Sequence, residues 1–160
     1  MRRHRLRRPA GPGDGGFTLI ELLIVVAIIG IIAAMAMPNL NRALQSAKQR
    51  STMANMKSIG SALETYAVDH NVYPKGLTDA GGDVLGNFLS PLYMQKVPSA
   101  DGWGNPWHID TNTNGTIYTI SSYGRDGVQG DDSGGPIGDF AGDLIYTNNS
   151  FYQYPAGAQQ

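Results

Sequence analysis

The sequence predicts an α+β fold: one long N-terminal α-helix packed on a small antiparallel β-sheet, with an acidic loop toward the C-terminal end. Three features carry this expectation. Residues 17–37 form an apolar run of 21 residues in which Glu21 is the one ionisable side chain. Residues 38–70 keep apolar side chains at helical spacing among polar ones. Residues beyond 107 offer short β-branched and aromatic runs separated by turn-forming residues.

The chain opens on charge. Arg2, Arg3, Arg5, Arg7 and Arg8 precede the apolar run, and the 144 residues after Gly16 hold seven Lys/Arg against twelve Asp/Glu, a net of −5. Arginines packed before a spanning segment mark a cytoplasmic end. A basic arm for nucleic acid is the weaker reading, because an apolar helix follows at once. At about 1.5 Å per residue, 21 residues span roughly 31 Å, the thickness of a hydrocarbon core. The run is too long for a secretory signal, and small residues stand before it, in GPGDGG (11–16), rather than after it. The expected organisation is a cytoplasmic leader, 1–16, that is cleaved; a transmembrane or filament-core helix, 17–37; an amphipathic helix, 38–70; and a periplasmic globular head, 71–160. Glu21 is the anomaly, since a carboxylate inside such a helix costs about 2.5–3.5 kcal/mol.

The stretch GGFTLIELLIVVAIIGIIAAMAMP (15–38) resembles the class III leader and N-terminal helix of type IV pilins and type II secretion pseudopilins. The resemblance implies that a prepilin peptidase cuts between Gly16 and Phe17 and N-methylates Phe17. It also implies that Glu21 meets the cationic terminus of a neighbouring subunit during assembly. A buried carboxylate is tolerable chiefly when paired and hydrogen-bonded, which agrees with that role.

Past Pro38, the residues Leu40, Leu44, Ala47, Met56, Ile59, Leu63 and Tyr66 approximate one helical face. One helix of about 80 Å is expected from Phe17 to His70, kinked or locally unwound at Pro38, with Gly30 and Gly60 as soft points. The head starts near Asn71-Val72-Tyr73-Pro74, followed by a Gly-rich loop over 76–87 and a short apolar piece over 88–98. WHID (107–110), IYTISSYG (117–124) and DLIYTN (143–148) suit three antiparallel strands, the first two joined by the turn signal TNTNG (111–115). Glu64, placed on the exposed helix face, and Lys96 form a candidate intersubunit ion pair, worth about 0–1 kcal/mol if exposed.

YMQKVPSADGWGNPW (93–107) resembles the turn between helix and sheet in the major pseudopilins of type II secretion. Physically, Gly102 and Gly104 allow unusual φ, Pro106 fixes it, and Trp103 and Trp107 can clamp the turn on the helix. The segment SSYGRDGVQGDDSGGPIGDFAGD (121–143) places Asp126, Asp131, Asp132, Asp139 and Asp143 within 18 residues that hold no Lys or Arg. Such a segment is either a solvated acidic loop or a calcium loop built from carboxylates and carbonyls. It lacks EF-hand order. The family resemblance implies one Ca2+ here, with the Tyr123 carbonyl, Asp126, Asp132 and Ser133 as ligands, and Asp131 and the Gln129 carbonyl behind them. A small head without cysteine has use for such a staple.

No spacing in the chain signals catalysis. His4, His70 and His108 are scattered, cysteine is absent, and no phosphate loop, nucleophile elbow or HExxH occurs. The resemblance therefore implies a non-enzymatic structural subunit, polymerising into the periplasmic pseudopilus that exports folded proteins. Its implied partners are other copies of itself, the peptidase, an inner-membrane assembly platform and minor pseudopilins. A type IV pilus major pilin and a membrane-anchored calcium-dependent binding module are the alternatives.

Overall fold

The apolar and amphipathic runs fold as a single helix, α1, Leu19–His70, in the computed structural model, which describes residues 16–158. The chain divides into two compact units, one ending at Asn41 and the other running from Arg42. Most of the expected leader, with its arginines, lies outside the described residues. α1 does not unwind at Pro38. The proline has no N–H for the turn before it, and next to it the Asn39 side chain donates to the Met35 carbonyl at 3.3 Å.

In the second unit, α1 turns a stripe of Gln49, Thr52, Met56, Ile59, Gly60, Ala62 and Leu63 inward. These recur every three or four residues, as a buried helical face must. The stripe differs from the expected one at its start. Leu44 is exposed, while polar Gln49 and Thr52 are buried. Thr52 earns burial through bonds, donating to the Lys48 carbonyl at 3.0 Å and accepting from Gly102 N–H at 2.9 Å. Gly60 is no soft point either. A Cβ there would stand 2.4 Å from the Tyr146 ring, so the missing side chain lets the sheet approach the helix.

The Gly-rich stretch expected as a loop contains a second helix, α2, Gly82–Leu89. Leu85 and Leu89 are fully buried, and a Cβ at Gly82 would meet the Pro98 carbonyl at 2.3 Å. Burial of one face overrides weak helix propensity here.

The sheet has five strands, not three: β1 His108–Thr111, β2 Tyr118–Ser122, β3 Gly135–Ile137, β4 Leu144–Thr147 and β5 Ser150–Pro155. Their order is β1-β2-β4-β5-β3. All neighbours are antiparallel except β3 and β5, which run parallel. β4 and β5 meet in a two-residue turn, Asn148–Asn149, with φ of 43° and 64°, the left-handed geometry that matches strand twist. Ile109, Tyr118, Ile120, Leu144 and Tyr146 close the core against Met56, Ile59 and Leu63 of α1.

Glu64 is half-buried rather than on an open face, and it serves its own chain. Its Oε1 accepts from Tyr73 Oη at 3.0 Å and from Tyr118 Oη at 3.3 Å. Burial, with the Glu64 carboxylate beside it, pushes the Tyr73 phenol up to about 12. Tyr118 Oη in turn accepts from Asn149 N–H at 2.9 Å, so the carboxylate ties α1 to the β4–β5 turn. This gives Glu64 an intrachain function that the ion pair with Lys96 did not anticipate.

Two of the close glycine approaches, at Gly60 and Gly102, predict a ranking. Gly60→Ala gains about 1 kcal/mol of helix propensity but overpacks against a ring that can shift, at about 1–3 kcal/mol. A Cβ at Gly102 would stand 2.2 Å from the Lys48 carbonyl oxygen, a helix backbone atom that cannot move aside. Urea unfolding should therefore find Gly102→Ala the more destabilising, at about 3 kcal/mol or more. Equal midpoints would contradict the packing described here.

Candidate functional site

Two regions carry the residues singled out in the sequence. In the first unit, Gly16 and Phe17 precede the helix and are exposed, as is Glu21 in its first turn. Thr18 N–H and Thr18 Oγ1 both donate to Glu21 Oε2, at 2.8 and 2.7 Å, and Glu21 N–H returns a bond to Thr18 Oγ1 at 3.3 Å. This reciprocal pair is a capping box, satisfying helix-end donors that lipid would leave bare. Its signal, T-L-I-E immediately before an apolar run, was present in the sequence. Glu21 thus has a local bonding function besides the assembly role expected of it.

From Phe17 to Met37, every large apolar side chain is exposed, from 45% at Val25 to 82% at Leu19. The same helix is long and apolar enough to cross a membrane.

The second region is the acidic segment between β2 and β4. The Asp101–Asn105 turn holds its entry. Asp101 Oδ1 accepts from Trp103 N–H and Asn105 N–H, at 2.9 and 2.8 Å, and Oδ2 accepts from Ser122 Oγ at 2.6 Å. The turn is fastened to α1 by the Gly102–Thr52 bond and by Trp103 Nε1 donating to Gln45 at 2.7 Å. The expected aromatic clamp therefore falls to Trp103, while Trp107 is a core residue, 1% exposed.

The expected ligands are spread rather than gathered. The Tyr123 carbonyl accepts from Gly127 N–H at 3.2 Å, and its ring stacks 3.8 Å from His108, which pairs with Asp79. Asp126 accepts from Val128 N–H, and Asp132 from the Gln129 amide, both at 3.2 Å. The Ser133 carbonyl accepts from Tyr152 Oη at 3.3 Å, and that of Asp131 from Gln153 at 2.9 Å. Tyr123, Gln129 and Asp132 line one hollow of about 420 Å³. Asp131, Ser133 and Asp143 line another of about 300 Å³. Asp126 lines neither. No three His, Asp or Glu side chains stand together at metal-holding distance among the described residues.

Asp143 is the residue that sequence reasoning passed over. It is 1% exposed. Its Oδ2 accepts from Gly130 N–H at 2.8 Å, while its buried Oδ1 has no hydrogen-bond partner. Burial holds its pKa above the usual carboxylate range, Asp132 and Asp126 push it the same way, and the Gly130 bond and His108 oppose them. Of the five aspartates, it alone is followed directly by an apolar strand, LIYT, and that is the signal that would have marked it as buried.

Comparison with known proteins agrees with these features. Residues 39–137 match the family described as type II secretion system (T2SS), protein G, and residues 12–37 match the prokaryotic N-terminal methylation motif. The chain is 33% identical to type II secretion system core protein G of Pseudomonas aeruginosa, over 79% of this chain and 95% of that protein. It is 32% identical to the protein of the same name from Vibrio cholerae, over 78% and 90%. With that of Escherichia coli K12 it shares 30% over 72% and 84%. A helix with a methylation motif, a head built on its second half and a match running through both place this chain in the type II secretion system protein G family.

Proposed function

We propose that this chain is a non-enzymatic structural subunit that polymerises, from a pool held in the bacterial inner membrane, into the periplasmic pseudopilus of a type II secretion system. The observation that carries the proposal is the uncovered apolar helix with a carboxylate in its first turn. Lipid covers that helix in the pool, and the helices of other copies cover it in a filament. The arginine-rich start stays cytoplasmic by the positive-inside rule, which sets the head in the periplasm. Prepilin peptidase cuts after Gly16 and methylates Phe17, and the assembly platform and minor pseudopilins act on the processed chain. The match to the secretion family over 39–137 favours this reading over a surface pilin.

We further propose that the acidic segment takes up one Ca2+. The donors are all hard oxygens, the class that Ca2+ prefers. Asp143 supports the fit best, since a buried carboxylate oxygen without a hydrogen-bond partner is costly unless something positive meets it. Asp143 would be the buried anchor, and Asp126, Asp132, the Tyr123 carbonyl and Ser133, spread along the segment here, would have to draw in around the ion. Bound Ca2+ would neutralise carboxylates that otherwise repel one another and would staple the acidic segment across its two ends.

Glu21→Gln separates the two functions of Glu21. Glutamine keeps the capping box, which accepts either residue at that position, but loses the charge. Pseudopili should fail to form from Glu21→Gln while the variant stays in the membrane at the normal level, as read by cross-linking of periplasmic polymers and by membrane fractionation. Polymers of normal length would refute the charge pairing. Mass spectrometry of the membrane form should find residues 1–16 missing and one methyl group on Phe17. An intact arginine-rich start would refute the processing.

For the metal, calcium at about a hundredfold excess over Kd should stabilise the subunit by about 2.7 kcal/mol, visible as a Tm that chelator lowers. Asp143→Asn should abolish that response yet leave the chelated protein at least as stable as the parent, because the amide removes an uncompensated buried charge. A parent Tm indifferent to chelator would refute calcium binding.

A further inference from the structure

We infer that Asn105 is a positioning residue for the acidic segment, its side-chain amide fixing the 124–127 limb that carries Asp126. Asn105 Nδ2 donates to the Gly124 carbonyl at 2.7 Å. The same amide lies flat against Gly127, where a Cβ would stand 3.0 Å from Asn105 Oδ1 and 3.2 Å from Nδ2. Both glycines have left-handed φ, 62° and 67°, which an ordinary side chain resists. On its other side, Gly124 abuts the returning chain, where a Cβ would stand 2.5 Å from the Ala141 carbonyl oxygen. Arg125 N–H donates to the Phe140 carbonyl at 2.8 Å and Gly127 N–H to that of Tyr123 at 3.2 Å. The Asn105 amide therefore seats the limb that carries Asp126, and the Arg125–Phe140 bond fastens that limb to the returning chain that leads to Asp143.

Asn105 can act as a fixed post because its own backbone is held twice. Its N–H donates to Asp101 Oδ1, and its carbonyl accepts from Asp101 N–H at 2.8 Å. Asp101 is bonded to β2 through Ser122, and the adjoining Gly102 to α1 through Thr52. Only a neutral amide suits the position. A carboxylate would set its oxygen against the Gly124 carbonyl, and a shorter side chain would not reach it. This makes sense of NPW following DGWG as more than a packed turn: the motif carries the position of α1 to the loop.

The inference rests on the calcium reading for its consequence but not for its geometry, and two measurements on the detergent-solubilised processed subunit keep them apart. In chelator, Asn105→Ala should raise hydrogen exchange at the Arg125 and Gly127 amides while Ile120 and Leu63 keep parental protection. Titrated with CaCl2 in a calorimeter, the same variant should bind about 10-fold or more weakly, as losing a ligand-orienting partner does. Parental exchange at Arg125 and Gly127 would overturn the inference, as would loss of protection spread evenly over the core. If the parent binds no calcium, the metal reading fails and exchange alone decides the role of Asn105. Should Asn105→Ala not fold, Asn105→Asp, of equal size, takes its place in the exchange measurement.

Discussion

One carboxylate, that of Asp101, holds together three parts of the head. It is 8% exposed and accepts two backbone N–H groups of its own turn and the Ser122 hydroxyl of β2. Hydrogen bonds to a charged group contribute about 1.5–3 kcal/mol each, and a buried donor left without its acceptor costs about 1–3 kcal/mol. Three such bonds on one side chain are comparable with the whole stability of a small domain. Because the turn they define is also bonded to α1 and to the acidic segment, helix, sheet and loop share a single polar junction beside the apolar core. That explains why the buried stripe of α1 includes Thr52, where a helix packing only on apolar groups would carry a leucine.

The parts of the fold legible in the sequence were those in which pattern and burial agree. α1 was readable because an unbroken apolar run passes into apolar side chains at helical spacing. The β1, β2 and β4 segments were readable because Ile109, Ile120, Leu144 and their neighbours are strand formers that are also buried. The parts that were missed run against local preference. β3 is Gly-Pro-Ile at the sheet edge, the place where proline is tolerated in a strand. α2 contains two glycines yet forms because Leu85 and Leu89 have a core to enter. β5 was lost at its turn. Asn148-Asn149 is a hairpin signal, but treated as the end of a strand it hid the six residues that follow.

The candidate site was legible in kind and not in detail, for a related reason. Counting aspartates found the segment, but chemistry depends on which carboxylates lose water, and that is set by what packs beside them. Asp126 and Asp132 remain exposed with weak local bonds, whereas Asp143 is drawn into the core by the strand that follows it. At the other end of the chain, Glu21 stood out by charge alone, and its partner Thr18 was overlooked because a threonine in an apolar run attracts no notice.

The exposed helix decides what kind of protein this is. Fourteen large apolar side chains between Phe17 and Met37 lie open. At about 1.5–3 kcal/mol for each that could be buried, roughly 20–40 kcal/mol is available to whatever covers them. That exceeds the stability of the head itself, so water is not where this helix resides. Against such a sum, the 2.5–3.5 kcal/mol charged to one carboxylate cannot prevent insertion. What it can do is discriminate among covered states that are alike in apolar area. Lipid and neighbouring helices bury methyl groups about equally well, and side-by-side helices could slide with little change in apolar contact. Under the charge pairing proposed above, a carboxylate in the first turn breaks that degeneracy, because only one axial offset brings it to a cation. On that proposal the apolar area supplies the affinity and Glu21 the register, which is the division of labour that an ordered polymer of identical helices requires.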